Sequence, residues 1–188
     1  EHLFHIWNSC FKMVKRENKQ EKIMKVFFNF PSRRFHIREI SRLTKIPVST
    51  VSRIIKDILK KDLLLIKRKT PIFELEANLD SKDFVNKKKE FNIFKIKDAG
   101  LLDFLISKYN EPEAIILFGS YSRGEDIEKS DIDILVITNK KINLDLEKYE
   151  KLLKRKIHLL EMNIKEIKTE LLNNLINGVI LQGYLKLK

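Results

Sequence analysis

At 188 residues the chain can bury one large core or two small ones, and 43% hydrophobic against 34% charged residues excludes a disordered composition. No apolar run approaches the roughly 18 to 20 residues a membrane span needs, and the single cysteine, Cys10, excludes an intrachain disulfide framework and a cysteine-based zinc cluster. The formal charge of +12 is uneven: residues 1–78 carry 18 Lys and Arg against 8 Asp and Glu, while residues 111–188 carry 13 of each, so a polyanion is expected to meet the first part.

Residues 1–18 read as an N-terminal extension. His2 and His5 have no further metal ligand nearby, and Met13 offers an alternative start. The opening lacks the basic flank and cleavage pattern of a secretory signal, which makes a cytoplasmic protein the expectation. Over 19–30, Ile23, Met24, Val26, Phe27, Phe28 and Phe30 recur among lysines before Pro31, predicting a first helix. Over 36–45 a second helix is expected, with Ile37, Ile40, Leu43 and Ile46 on one side and Arg38, Glu39 and Arg42 on the other. After Pro47, residues 48–60 predict a third, burying Val51, Ile55 and Ile58 and turning Ser49, Ser52, Arg53 and Lys56 outward. Apolar runs at 63–67 and 72–76 flank Arg68-Lys69-Thr70-Pro71, the pattern of a hairpin with a basic tip.

The string Ile46-Pro47-Val48-Ser49-Thr50-Val51-Ser52-Arg53 resembles the turn and recognition helix of winged helix-turn-helix regulators, a likeness that covers residues 19–78. Asp62 stands where a glycine usually precedes the wing. The resemblance implies double-stranded DNA as a partner and is compatible with a homodimer. Ser49, Thr50, Ser52, Arg53 and Lys56 would meet the groove and backbone, and Lys67, Arg68 and Lys69 would meet phosphates from the wing.

Residues 79–110 read as connecting helices interrupted near Gly100, with Lys87-Lys88-Lys89 as a solvated face. Residues 111–188 form the last unit. Strands are expected at 114–118, 131–138 and 157–162, a turn and short helix at 120–124, and helices at 143–154 and 165–181. The fold class is therefore α/β (α+β), with a small mixed sheet in the C-terminal part.

The chemistry concentrates in Leu117-Phe118-Gly119-Ser120-Tyr121-Ser122-Arg123-Gly124 and Ser130-Asp131-Ile132-Asp133-Ile134-Leu135-Val136. A glycine at a strand end lets a phosphate approach the backbone, Ser120 adds a hydroxyl donor, and Arg123 follows one turn later with a guanidinium. Asp is depleted in strands, so two at i and i+2 within an Ile/Leu/Val run need a reason. Period two puts them on one face, where their oxygens suit Mg²⁺. Taken singly, an ordinary N-cap serine and a solvent-facing strand edge explain the two halves.

Together these motifs resemble the minimal nucleotidyltransferases of the polymerase-beta superfamily over residues 111–162, and the tail Asn177-Gly178-Val179-Ile180-Leu181-Gln182-Gly183-Tyr184 resembles archaeal-type proteins that fuse a winged helix to this domain. The resemblance implies transfer of a nucleoside monophosphate from a nucleoside triphosphate, with ATP the expected nucleotide, to a hydroxyl acceptor. It implies nucleotide binding by Gly119, Ser120 and Arg123, and Mg²⁺, up to two ions, on Asp131 and Asp133. The superfamily's third carboxylate position falls on His158, a poorer Mg²⁺ ligand but a competent base, while Glu161 lies on the opposite strand face. Two readings stay open: a working transferase, or a weak or inactive relative acting as a DNA-binding regulator or as an antitoxin to a helical toxin.

Overall fold

A computed structural model describes residues 18–69 and 72–185. The extension with His2, His5, Cys10 and Met13, and Thr70-Pro71 of the hairpin, lie outside the described residues.

Asn18 starts helix α1 (Lys19–Asn29) with a capping box, its side chain accepting from Gln20 N–H at 2.8 Å while Glu21 reaches back. Helices α2 (Ile37–Thr44) and α3 (Val48–Lys60) follow, then the antiparallel pair β1 (Leu64–Lys69) and β2 (Ile72–Ala77). Phe35 and Leu75 exchange backbone hydrogen bonds of 2.9 Å, stitching the α1–α2 connection to the hairpin. Ile23, Phe27, Phe35, Ile40, Val51, Ile55, Ile58 and Leu63 close a first core. Asp62 takes φ 56°, the left-handed geometry a glycine would supply, and its carbonyl accepts from Asn78 Nδ2 at 2.9 Å. Leu43 departs from expectation and is 53% exposed. In a helix of two turns the buried line is Ile40 and Thr44, whose hydroxyl is satisfied by the Ile40 carbonyl at 2.7 Å, and Leu43 falls on the flank.

Helices α4 (Lys82–Asp98) and α5 (Leu101–Tyr109) meet at Gly100 as expected. The second core lies on a four-stranded sheet of order β5-β4-β3-β6, built from β3 (Ala114–Phe118), β4 (Ile132–Ile137), β5 (Ile157–Met162) and β6 (Val179–Gly183). β3 runs antiparallel to β4 and β6, and β4 parallel to β5. Short helix α6 (Gly119–Arg123) follows β3, and α7 (Glu147–Leu153) precedes β5, shorter than the 143–154 expected. The expected helix over 165–181 is divided into a 3₁₀ turn (Ile164–Glu166), helix α8 (Thr169–Ile176) and β6. Asn177-Gly178 are poor helix formers, and the β-branched run beyond them pairs with the otherwise open edge of β3.

Helix α4 belongs to both cores, Phe84 packing in the first and Ile96 in the second. Lys88 is correspondingly a correction to the solvated lysine run, because it is fully buried. Its ammonium bonds the Asp126 carboxylate and, at 2.7 Å, the Asp126 carbonyl, while Asn92 Nδ2 donates to Asp126 Oδ1 at 2.7 Å and to the Tyr121 carbonyl at 2.9 Å. Burial pushes the Lys88 ammonium below its ordinary range, with Asp126 pulling it back. Gly124 sits so close to α4 that a Cβ there would lie 2.4 Å from the Val85 carbonyl oxygen. The segment from α6 to β4 is thereby pressed onto α4.

Asp126→Ala leaves that ammonium buried without its counter-charge, and urea unfolding is expected to show a loss of about 3–5 kcal/mol. The double variant Lys88→Met with Asp126→Ala should recover most of it. An unchanged midpoint in Asp126→Ala would contradict the assigned role.

Candidate functional site

Every residue of β3 is buried, so the strand delivers Gly119 rigidly to the sheet's end. Phe118 pairs with Asp133 on β4, and Asp133 pairs with His158 on β5. Phe118, Asp133 and His158 thus stand in register across three strands, and Gly119, just beyond Phe118, completes the row at the sheet's end. Gly119 adopts φ 72°, and a Cβ there would fall 2.3 Å from Asp133 Oδ2, so only glycine leaves the carboxylate in place. The other oxygen, Oδ1, lies 3.2 Å from His158 Nδ1. Ser120 is half-buried beside Gly119, whose carbonyl accepts from Ser122 Oγ at 2.8 Å.

Asp131 is exposed at the entry to β4. Ile132 N–H donates to the Lys156 carbonyl at 2.9 Å, which sets Lys156 alongside Asp131 as His158 is set alongside Asp133. The Lys156 ammonium is held above its ordinary range by its hydrogen bond to Glu150 (2.9 Å), and the Asp131 charge adds to this. The same period-two spacing carries this pairing, since Lys156 and His158 alternate as Asp131 and Asp133 do. Arg123 is turned to Glu125, its Nε 2.7 Å from Oε2. Glu161 accepts from Tyr109 and from Ile142 N–H (2.8 Å), so it is committed at the far end of β5. Among the described residues no three His, Cys, Asp or Glu side chains converge as a metal cluster.

The residues proposed for nucleic acid lie apart from this row. On α3, Ser49, Arg53 and Lys56 are exposed, and Thr50 and Ser52 half-buried. Lys67 is exposed on β1 and 3.3 Å from Glu76, while Arg68 and Lys69 pair in register with Phe73 and Ile72. A contact beside Asp131 helps to tie the two regions. Glu128, three residues before Asp131, accepts from Ser32 N–H (3.1 Å) and from the Ser32 hydroxyl. Burial favours the neutral acid, but the Ser32 bonds prevail and hold Glu128 below the usual carboxylate range.

Residues 101–183 match the family model described as Polymerase beta, Nucleotidyltransferase. This stretch is similar to that family, and it contains the whole Gly119–Asp133–His158 row together with α5 and the four strands of the sheet. A search of curated proteins found no match to the chain. No helix among the described residues is long and apolar enough to cross a membrane.

The row can be tested through its glycine. Gly119→Ala and Gly100→Ala share a positive φ and hence a conformational cost of about 1–2 kcal/mol, but nothing lies within 4 Å of a Cβ at Gly100. Gly119→Ala is expected to lose more stability than Gly100→Ala and to shift the His158 ring resonances, because Asp133 must move. Equal losses with unchanged His158 resonances would argue against the close approach.

Proposed function

We propose that this protein is a DNA-associated nucleotidyltransferase that moves a nucleoside monophosphate from a nucleoside triphosphate to a hydroxyl acceptor. The observation that carries the reading is the division of Asp133: one oxygen holds His158, the other faces Gly119. The Gly119–Ser120 turn receives the triphosphate, with Ser120 donating to a phosphate oxygen. Asp131 and Asp133 suit one Mg²⁺ arriving with the nucleotide, since such ions are typically held by one or two carboxylates plus substrate phosphates. Without a third carboxylate the donor set offers no second place. The bound ion would neutralise charge on the phosphates.

His158 supplies what the missing carboxylate would have done. With Nδ1 oriented by Asp133, Nε2 accepts the proton of the acceptor hydroxyl, whose oxygen attacks the α-phosphorus while the bond to the bridging oxygen breaks and pyrophosphate leaves. This is the logic of a base held in one orientation by a carboxylate behind it. The three helices and hairpin act as a winged helix, presenting Ser49, Arg53 and Lys56 to DNA with Thr50 and Ser52 in support, and Lys67, Arg68 and Lys69 to phosphates. The local excess of positive charge favours this assignment.

A second reading is favoured by one feature: each ligand carboxylate has a cation or potential cation beside it, Lys156 and His158. A face so compensated binds nucleotide with little turnover, which is how a nucleotide-sensing regulator would behave.

ATP titrated with Mg²⁺ should bind, and Asp131→Asn should weaken binding by about tenfold or more. Labelled transfer to hydroxyl acceptors should depend on His158, with His158→Ala losing about 100-fold. Saturable binding with no transfer by the wild type, but transfer by His158→Asp, would select the regulator instead. Duplex DNA binding should fall with salt, and Arg53→Ala should weaken it by about tenfold. No DNA binding at low salt would remove the winged-helix assignment.

A further inference from the structure

Beside Asp131 opens a cleft of about 560 Å³ whose wall includes Lys129, Lys154 and Arg155. Its three glutamates are already committed. Glu128 takes both Ser32 donors, Glu147 pairs with Lys151 at 2.7 Å, and Glu150 holds Lys156 and the Ile157 N–H at 3.0 Å. Arg155 has no such commitment. Its side chain keeps only 11% of its surface exposed, its Nε has no hydrogen-bond partner, and its ion pair with Asp126 Oδ2 spans 3.8 Å. That carboxylate spends Oδ1 on Lys88 and Asn92, and its Oδ2 faces Arg155 from beyond hydrogen-bond distance without a partner of its own. The remaining guanidinium bond is to a backbone carbonyl, that of Lys154, at 3.2 Å.

A nearly buried guanidinium that meets a carboxylate only at 3.8 Å is costly, because the charge loses water and gains part of what a hydrogen-bonded pair would return. Its field is felt nearby. Lys95, whose ammonium donates to the Leu153 carbonyl at 3.3 Å, is pushed down to about 8 by burial and then by Arg155. A group with several oxygens on one phosphorus matches the guanidinium fork, and the rim lysines add charge without demanding a fixed geometry.

We infer that this cleft is a phosphate-binding subsite built around Arg155, with Lys129 and Lys154 at its rim, adjoining the carboxylate face at Asp131. The phosphate comes from one of two sources: the tail of the nucleotide itself, or an acceptor that carries phosphate near its hydroxyl. The inference deepens the proposed reaction and rests on that reading only for its biological meaning, since the subsite is defined by inorganic phosphate chemistry.

The test titrates inorganic pyrophosphate into the full chain by calorimetry. Wild type should bind, Arg155→Met should bind about tenfold more weakly, and Arg155→Lys should fall between. Thermal melts establish that each variant is folded. Because Arg155 is largely buried, the exposed double variant Lys129→Ala with Lys154→Ala provides a second reading, expected at about threefold weaker binding with a shallower salt dependence. Repeating the titration with a saturating non-hydrolysable ATP analogue separates the sources: abolished binding assigns the subsite to the nucleotide tail, and persisting binding assigns it to the acceptor. Pyrophosphate binding equal in wild type, folded Arg155→Met and the rim variant, or absent from the wild type, would overturn the inference. Failure of ATP to bind while pyrophosphate binding still depends on Arg155 would sink the transferase reading and leave the subsite standing.

Discussion

The buried pair of Lys88 and Asp126 is the constraint on which the site's geometry depends. Asp126 stands between the Gly119–Ser120 turn and Asp131, in a segment with little regular structure of its own. A loop of that kind wanders unless tertiary contacts fix it. Here α4 provides them: Lys88 and Asn92 hold Asp126, Asn92 holds the Tyr121 carbonyl, and Gly124 admits the helix backbone. Hydrophobic burial alone could place the loop against the helix but could not fix its register along it. A buried charge with hydrogen-bonded partners does that, because any slip leaves an ammonium or a carboxylate without a partner in a low-dielectric interior.

The same helix makes the two halves of the chain mechanically continuous. Phe84 is part of the first core, Ile96 of the second, and Lys95 donates to Asn29 at 3.1 Å. Ser32 also binds Glu128. The Asp131 segment is therefore tied both to α4 and to the connection leading into α2. A displacement of the N-terminal helices relative to the sheet would have to break the Ser32–Glu128 bonds or carry Asp131 with them. On the reading in which those helices bind DNA, this is the physical link between the two activities, and any coupling is reciprocal.

Periodicity made much of this legible. The i, i+4 stripe of Val51 and Ile55, the break at Gly100, the wholly apolar β3 and the alternation of Asp131 and Asp133 each follow from local spacing, and the structure has them where spacing puts them. What spacing could not reveal depends on partners distant in sequence. Lys88 within three lysines looks like any surface lysine until Asp126, 38 residues on, is brought against it. β6 looked like the continuation of a helix because Leu, Ile and Val suit both structures, and the open edge of β3 decided between them. Lys156 was within reach of register arithmetic, since it precedes His158 by two as Asp131 precedes Asp133. A cation is simply not what one looks for beside a carboxylate proposed to hold a metal.

That pairing of Lys156 with Asp131 and His158 with Asp133 sets how the site can work. Three carboxylates on one face concentrate negative field, which gathers divalent ions before any nucleotide arrives but repels the triphosphate until they do. Two carboxylates, each beside a group able to carry positive charge, make a milder face. On the proposed reading such a face would hold an ion less firmly in advance and oppose an incoming polyanion less. Nucleotide and ion would then be best bound together, with the phosphates completing the coordination that two carboxylates leave open. On the proposed reading Asp133 serves both roles, Oδ1 orienting His158 and Oδ2, beside Gly119, being left for the ion. On that reading metal binding and proton transfer would both run through Asp133, whose place depends on the missing side chain of Gly119.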